Sequence, residues 1–437
     1  MKRKTEIFIA ITVVTAVTCY LFKKIINRQK SDYTSIKQEA DKYFIQEDYK
    51  NAILLYTKCK YMKSDAEILT KISLCNYFLK NYQEVINNSL FKTNNKDLIK
   101  IRSECYKQMG NKKKFLKDLA LYETFANNKE VQDEIMQTVK EICEEEVNEF
   151  IEQEGLKINK EDVLRGLVSI KNINEIYDAF GGKSKKFKFS NDEKEVLNLL
   201  NAIILHLKGK KEQAILLLEK STYKYSILYR AYFLTLKNEY ISSSLPLDDE
   251  ITTLYLYSKI FKDKSDTYLK SAIDKSVDLP IEQKDFLYVD LLVFYISKKD
   301  VEKVNETINN LKETLTPTLL ELIGEYYLKS GNHSKMLDLL SSHPDTPGKL
   351  LLTALYAISI DKKKDAIEIL YRSISEYSSY FKSYLYLGNI LINDDLNECR
   401  KLFNTSLQYC CNSDEVFIVK QSLILIEVHE YIKENKI

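Results

Sequence analysis

The sequence predicts an all-α protein, a superhelix of antiparallel helix pairs in two blocks behind a single N-terminal transmembrane helix. Three observations predict it. Helix breakers are scarce, with 10 Gly and 5 Pro in 437 residues, which favours long helices and short connections. Small and aromatic residues recur together at a period of about 34 residues. The chain also opens on an apolar stretch with basic residues on both sides.

That stretch runs from Ile7 to Phe22, after Lys2, Arg3 and Lys4 and before Lys23, Lys24, Arg28 and Lys30. As a helix it covers roughly 24 Å, a little less than the ~30 Å hydrocarbon core, and snorkelling lysines or local thinning bridge the difference. A cleaved secretory signal is the rival reading. No small-x-small site follows the stretch, however; Tyr20, Leu21 and Phe22 stand there. Residues 1–30 are therefore expected to be a retained anchor, with the rest of the chain in the cytosol.

The repeat is clearest over residues 37–56. Ala40 faces the partner helix, Tyr43 and Phe44 fill the groove, Tyr49 ends the turn, Ala52 permits close helix approach and Tyr56 wedges against the next pair. The pattern returns with Cys75, Tyr82 and Val85, and again around Gly110 and Phe115. Further on it returns near Ala202, Gly209 and Ala214, then with Gly324, Tyr327 and Met336, then Ala354 and Ala366, then Gly388 and Cys399. Ala52 to Val85 and Ala366 to Cys399 are both 33 residues. This is the signature of a tetratricopeptide-repeat superhelix; the alternative is a nonrepetitive helical bundle.

Two stretches interrupt the array. Residues 129–154 carry Glu130, Glu134, Glu141, Glu144 to Glu146, Glu149, Glu152 and Glu154 around apolar positions at helical spacing, which predicts a solvated helix face. Residues 179–193 hold the chain's only Gly-Gly pair and read as a loop or junction. The expected division is an anchor over 1–30, an N-terminal repeat domain over 31–127, a helical connector and loop over 128–195, and a C-terminal repeat domain over 196–437.

No enzyme is expected. Net charge is +2, so the global basic field of a nucleic-acid binder is missing. None of the eight cysteines forms a CxxC pair and the four histidines are scattered, so no metal-site spacing and no cofactor motif appear. The cysteines read as small core residues in a reducing compartment. Gly181-Gly182-Lys183-Ser184 lacks the spacing of a phosphate loop. His206, among leucines, reads as a satisfied core histidine. Binding is left to the array, whose concave groove is lined by the first helix of each pair and suits extended or helical polypeptides.

The order of parts resembles the seventy-kilodalton Tom receptor family, the large import receptors of the mitochondrial outer-membrane translocase. Lys37 to Ile53 is similar to that family's first repeat, and Gln83 to Leu90 with Lys100 to Leu119 to its second and third. Ala179 to Phe189 looks like its junction, and Asp394 to Cys410 like its last repeat. The resemblance implies a receptor in the outer membrane of a mitochondrion, or of a reduced organelle derived from one (a mitosome). It would receive unfolded precursor proteins with apolar segments and meet other translocase subunits. An alternative is a membrane-anchored scaffold or co-chaperone at another membrane, such as the endoplasmic reticulum.

The resemblance also implies sites. In the family, two lysines, two asparagines and an arginine grip the carboxylates of a heat-shock chaperone's Glu-Glu-Val-Asp tail. Here Lys37 stands at the first lysine position, Asp41 and Lys71 at the asparagine positions, Asp97 at the second lysine and Ile101 at the arginine, with Arg102 adjacent. Lys37, Lys71 and Arg102 are what remains for a clamp, and acidic replacements at two positions predict that chaperone docking is lost. For the precursor groove the candidates are Tyr327 and Tyr386, among Tyr326, Leu328, Phe381, Tyr384 and Leu387; repeat core is the alternative reading of each.

Overall fold

The computed structural model of the protein describes residues 32–63, 65–89, 95–180, 190–239, 245–246, 248–311 and 315–435. The anchor expected over 7–22 and the Gly181-Gly182 junction lie outside the described residues. Among those described there is no strand, and no helix is long and apolar enough to cross a membrane.

The helices follow in order. The chain is helical over 32–45 (α1), then Tyr49–Met62 (α2), Ala66–Phe78 (α3), Tyr82–Ser89 (α4), Lys96–Gln108 (α5), Lys112–Ala126 (α6) and the long Lys129–Gln153 (α7). Two short helices, Lys160–Leu164 (α8) and Ile173–Phe180 (α9), precede Asn191–Leu207 (α10), Lys211–Leu217 (α11), Lys224–Leu236 (α12), Ile251–Ile260 (α13) and Ser265–Lys275 (α14). Then come Ile281–Ser297 (α15), Val301–Asn310 (α16), Pro317–Lys329 (α17), His333–Ser341 (α18), Pro347–Ser359 (α19), Lys363–Glu376 (α20), Phe381–Leu391 (α21), Leu396–Leu407 (α22) and Ser413–Asn435 (α23).

One turn makes most of the pairs. The first helix ends on a residue of positive φ, whose follower returns its amide to a carbonyl five residues back. Asp48 bonds Tyr43 O at 3.0 Å, Asn111 bonds Tyr106 O at 2.9 Å, Asp300 bonds Tyr295 O at 3.0 Å and Asn332 bonds Tyr327 O at 2.9 Å. This is the Schellman arrangement, and it satisfies carbonyls the helix end would leave orphaned. In these four turns the same follower then caps the second helix, its side chain accepting from an amide three residues on. Glu47, Gly110, Lys299 and Gly331 hold the positive φ.

The small-residue rhythm has a steric cause. Four residues after the turn come Ala52, Val85, Phe115, Ala214, Val304, Met336 and Ala366, each at most 4% exposed. In the first helices a methyl group on Gly324 would meet Leu352 at 2.5 Å, and one on Gly388 would meet Phe403 at 2.5 Å. At those two positions the close approach leaves no room even for a methyl group unless the facing side chain shifts. The cysteines join this packing. Cys59, Cys75, Cys105, Cys143, Cys399 and Cys410 are buried and unbridged, and burial pushes the thiols of Cys75, Cys105 and Cys410 up to about 12.

The chain forms two compact units. Unit 1 takes the described residues up to Cys143 together with those from Ile424 onward, and unit 2 takes Glu144–Leu423. This grouping differs from boundaries at 127 and 195. The divisions fall inside α7 and α23, where no Gly or Pro marks the sequence. The Glu-rich α7 buries Val139, Ile142, Cys143, Val147 and Ile151 on one face, as its spacing predicts. Unit 1 packs around Ala40, Ala52, Tyr56, Cys59 and Ile68, and around Val85, Ile101, Cys105, Tyr106 and Phe115. Unit 2 has one long core running from Val163 to Leu352 and a second around Leu351, Ala366, Leu370 and Leu387.

Candidate functional site

In unit 1, α1 and α3 are the first helices of successive pairs. Lys37 and Asp41 lie one turn apart on α1, and Glu67 and Lys71 one turn apart on α3. The signs are opposed rung by rung. Lys37 Nζ meets Glu67 Oε2 at 2.6 Å, and Lys71 Nζ lies 3.9 Å from Asp41 Oδ1. Asp41 also accepts a hydrogen bond from the buried Tyr56 hydroxyl at 2.6 Å, and Lys71 stands over the Phe44 ring at 4.5 Å. The hydrogen bond to Glu67 raises the Lys37 pKa, against the opposing effect of desolvation. The chain's own carboxylates thus stand where the two lysines would receive a ligand's.

Arg102 is not available to that site, which corrects its assignment to a clamp. It is 2% exposed, and its guanidinium is taken up by Asp118 of α6, through Nε at 2.6 Å and Nη2 at 2.7 Å. Nη1 donates to Ser89 O at 3.4 Å, and Nη2 to the Tyr431 hydroxyl at 3.1 Å. Ile101 is 9% exposed and belongs to the core, and Asp97 is exposed in the first turn of α5. The structure therefore brings Lys37 and Lys71 to one face and leaves Arg102 out.

In unit 2, Tyr327 is 7% exposed and packs in the long core, with Lys335 Nζ 5.6 Å from its ring centre. It is a repeat-core residue and not a groove residue; the side chain points into the helix pair that its own backbone closes. Phe381, Tyr384 and Leu387 are buried likewise. Tyr386 remains partly exposed, its pKa raised by burial and by Glu325 and Glu321, against Lys382. Beside it Glu321 accepts from the Tyr380 hydroxyl at 2.8 Å and pairs with Lys382. The wall at Tyr386 is thus polar as well as aromatic. His206 stacks on Phe233 with ring centres 4.4 Å apart, and its Nδ1 is buried without a hydrogen-bond partner, so it is not the satisfied histidine expected.

The most built feature of unit 2 lies in what reads as a connector. Between α8 and α9 the chain passes along α10, α12, α13 and α15. Val163, Leu167, Ile170 and Ile176 are at most 8% exposed and share a core with Leu199, Leu200 and Ile203 of α10. The Tyr229 hydroxyl of α12 donates to Arg165 O at 3.3 Å. Ser169 and Thr252 exchange hydrogen bonds, Ser169 N to Thr252 Oγ1 at 3.1 Å and Thr252 N to Ser169 Oγ at 3.2 Å. The second of these caps α13 from outside, since its own N-cap Glu250 makes no side-chain cap. Gly166 has φ +79°, and a methyl group there would lie 2.4 Å from the Tyr255 ring. Arg165 Nη2 is 3.7 Å from Asp290 Oδ1 of α15, while Lys259 Nζ meets the other oxygen at 2.5 Å. A cavity of about 750 Å³ opens between this segment and Glu282, Asp285, Phe286 and Val289 of α15. Sequence reasoning misses Arg165, Gly166, Ser169, Tyr229 and Thr252. The available signal is the aliphatic run around Val163, Leu167 and Ile170, which no solvated linker needs.

No family model and no curated protein sequence matches the chain. Among solved structures it is similar to yeast Tom70, with 13% identity, 94% of this chain and 97% of that chain covered, and a TM-score of 0.32. It is also similar to a chain of the APC/C hetero-tetramer Cut9–Hcn1, with 10% identity, 91% and 96% covered, and a TM-score of 0.26. A third similarity, with 10% identity and a TM-score of 0.23, is to a chain of Naa15/Naa10 bound to HypK-THB, covering 86% of this chain and 64% of that one. All three TM-scores lie below the level at which a common fold follows.

Proposed function

We propose that the chain is a membrane-anchored receptor for polypeptides, acting without catalysis in the outer membrane of a mitochondrion or mitochondrion-derived organelle. It takes precursor proteins on the cytosolic side and passes them to an import channel. One observation carries the binding role: α10, α12 and α13 of unit 2 already hold a polypeptide segment, residues 160–180, through aliphatic burial and hydrogen bonds to its backbone. The location rests on the basic-flanked apolar stretch and on the order of the passages that resemble the import-receptor family. Direct chaperone docking is not part of the proposal, because Glu67 and Asp41 neutralise Lys37 and Lys71 and Asp118 holds Arg102.

The test is a titration of carrier-type precursor peptides against the full chain at low and high salt. The full chain is needed because residues from Ile424 onward group with unit 1. Micromolar binding with modest salt sensitivity is expected, since buried apolar area at roughly 25 cal/mol per Å² drives it against the cost of ordering the peptide. Loss of binding at moderate salt would mean electrostatic recognition. No binding of any precursor peptide, together with a fluorescent fusion at another membrane, would leave a scaffold role.

A further inference from the structure

The segment that carries the receptor reading also has a consequence for how the site is regulated. We propose that residues 160–180 are an internal ligand of unit 2, which an incoming aliphatic-rich polypeptide segment bearing a basic residue displaces. The proposal rests on the receptor reading and names the competitor built into that same face.

The segment's contacts are those of a bound peptide. It touches four helices of unit 2, α10, α12, α13 and α15. Two of its hydrogen bonds use its own backbone, Arg165 O and Ser169 N, and any polypeptide brings those groups. Its side-chain contacts ask for little more than aliphatic bulk at Val163, Leu167 and Ile170, a small residue against Tyr255 and a cation near Asp290.

The segment has little structure of its own. α8 is five residues and α9 eight, with turns between them, and helices that short do not stand without tertiary support. Apart from the Lys160–Asp178 ion pair of 2.8 Å that ties α8 to α9, the segment's hold is on the helices it packs against, and a better-fitting chain competes for those contacts. The cavity of about 750 Å³ beside it supplies the point of entry. An incoming chain can first seat against the partly exposed Val289. The cavity lining carries Glu161, Asp162, Glu175, Glu282 and Asp285 against Lys160 and Arg165, an acidic excess that favours a basic over an acidic newcomer.

Tethering makes the internal ligand a strong competitor, because its effective concentration is millimolar or higher, and the apparent affinity of any other ligand falls by the fraction of time the face is free. Loosening the segment should therefore tighten binding in trans, and locking it should abolish binding.

The experiment uses the full chain and two probes, a labelled peptide copying residues 160–180 and a carrier-type precursor peptide. Arg165→Ala with Ser169→Ala removes the Asp290 contact and the Ser169 hydroxyl's cap on Thr252 N, leaving the backbone bond to Thr252 Oγ1 and the repeat helices untouched. Ser169→Cys with Thr252→Cys places two thiols where the side chains already cross, and the crosslink is verified by mass. The copied peptide should bind the loosened chain at least tenfold tighter than the natural one. It should fail to bind the oxidised lock and return on reduction. Equal binding to natural, loosened and locked chains, or none to any, would overturn the proposal. Should the loosened chain not fold, the oxidised and reduced lock decide alone. The second probe separates the two readings. A precursor peptide that binds locked and unlocked chains equally keeps the receptor and sinks the displacement. Exchange of the copied peptide with no precursor binding keeps the displacement and sinks the receptor.

Discussion

Arg102 and Asp118 are joined by two parallel hydrogen bonds, of 2.6 and 2.7 Å, at a point in unit 1 where both side chains are at most 3% exposed. Tyr431 closes the group by donating to Asp118 Oδ1 at 2.6 Å. A planar fork matched to a carboxylate is the strong form of an ion pair, and in a dry site each charge depends on the other. The arginine is therefore committed to the fold and has no donor geometry to offer a peptide.

The first prediction follows from that pairing. Arg102→Ala should lower the unfolding free energy by about 3–5 kcal/mol, because it strands the Asp118 carboxylate in the core. Arg102→Met combined with Asp118→Leu should cost much less, since no charge is left unpaired. Urea unfolding midpoints of the two variants decide it; equal losses would show that packing, not charge, sets the penalty.

The second concerns the Lys37–Glu67 and Lys71–Asp41 rungs. Peptides ending in Glu-Glu-Val-Asp should bind the natural chain weakly or not at all. Asp41→Asn with Glu67→Gln should free both lysines and raise that affinity at least about tenfold, in line with the worth of one charge-assisted hydrogen bond. Stability should shift by less than about 1 kcal/mol, because both pairs are partly exposed. The amide oxygen that Asp41→Asn leaves in place can still accept from the Tyr56 hydroxyl, so the core contact survives. Tight, carboxylate-dependent binding by the natural chain would overturn the account of the rungs.

These residues show how far the sequence reaches. Ala52, Gly324, Ala366, Gly388 and Cys399 are legible because close helix approach imposes a local steric rule at a fixed spacing from the turn. The pairing of first helices follows from the same spacing, which is why Lys37 and Lys71 do share one face. Arg102 escapes for a reason of angle. Neighbouring helix positions differ by about 100°, so a one-residue uncertainty in the third repeat turns a core residue into an apparent groove residue. Tyr327 escapes for a different reason, since repeat aromatics fill the core and line the groove with one alphabet. The Ser169–Thr252 exchange joins residues 83 apart, and Arg102 meets Tyr431 across 329. No periodicity carries such contacts, and only folding the chain reveals them.

The third prediction separates two glycines. Gly331 has φ +68° and open space around it, whereas Gly388 has ordinary helical backbone but lies against Phe403. Gly331→Ala should cost about 1–2 kcal/mol of backbone strain, partly offset by about 0.4–1 kcal/mol of lost freedom in the unfolded chain. Gly388→Ala should cost about 1–3 kcal/mol through overpacking. Adding Phe403→Leu should then relieve Gly388→Ala and leave the cost of Gly331→Ala unchanged. Double-mutant cycles from chemical unfolding measure both couplings, and relief of Gly331→Ala by Phe403→Leu would refute the distinction.

The last prediction is a pH dependence centred on His206. Burial, then the Lys211 charge, hold its pKa down at about 4, against the pull of Asp414. An unfolded histidine titrates near 6.5. Between those values the unfolded chain binds the proton and the folded chain does not, so folding stability rises with pH across that window. The contribution is complete above about pH 6.5 and lost as pH falls towards 4, and it amounts to no more than about 3 kcal/mol. The ring stacks on Phe233 and its buried Nδ1 has no hydrogen-bond partner, so no acceptor takes a proton placed there. His206→Phe keeps a flat ring against Phe233 and removes the titration. Unfolding free energies of both chains at about pH 7 and about pH 4.5 give the test. The natural chain should lose more stability between the two than His206→Phe does, and half-buried carboxylates such as Asp162 and Glu415, present in both, cancel from the difference. An identical loss in the two chains would mean that His206 takes its proton in the folded state as readily as in the unfolded one.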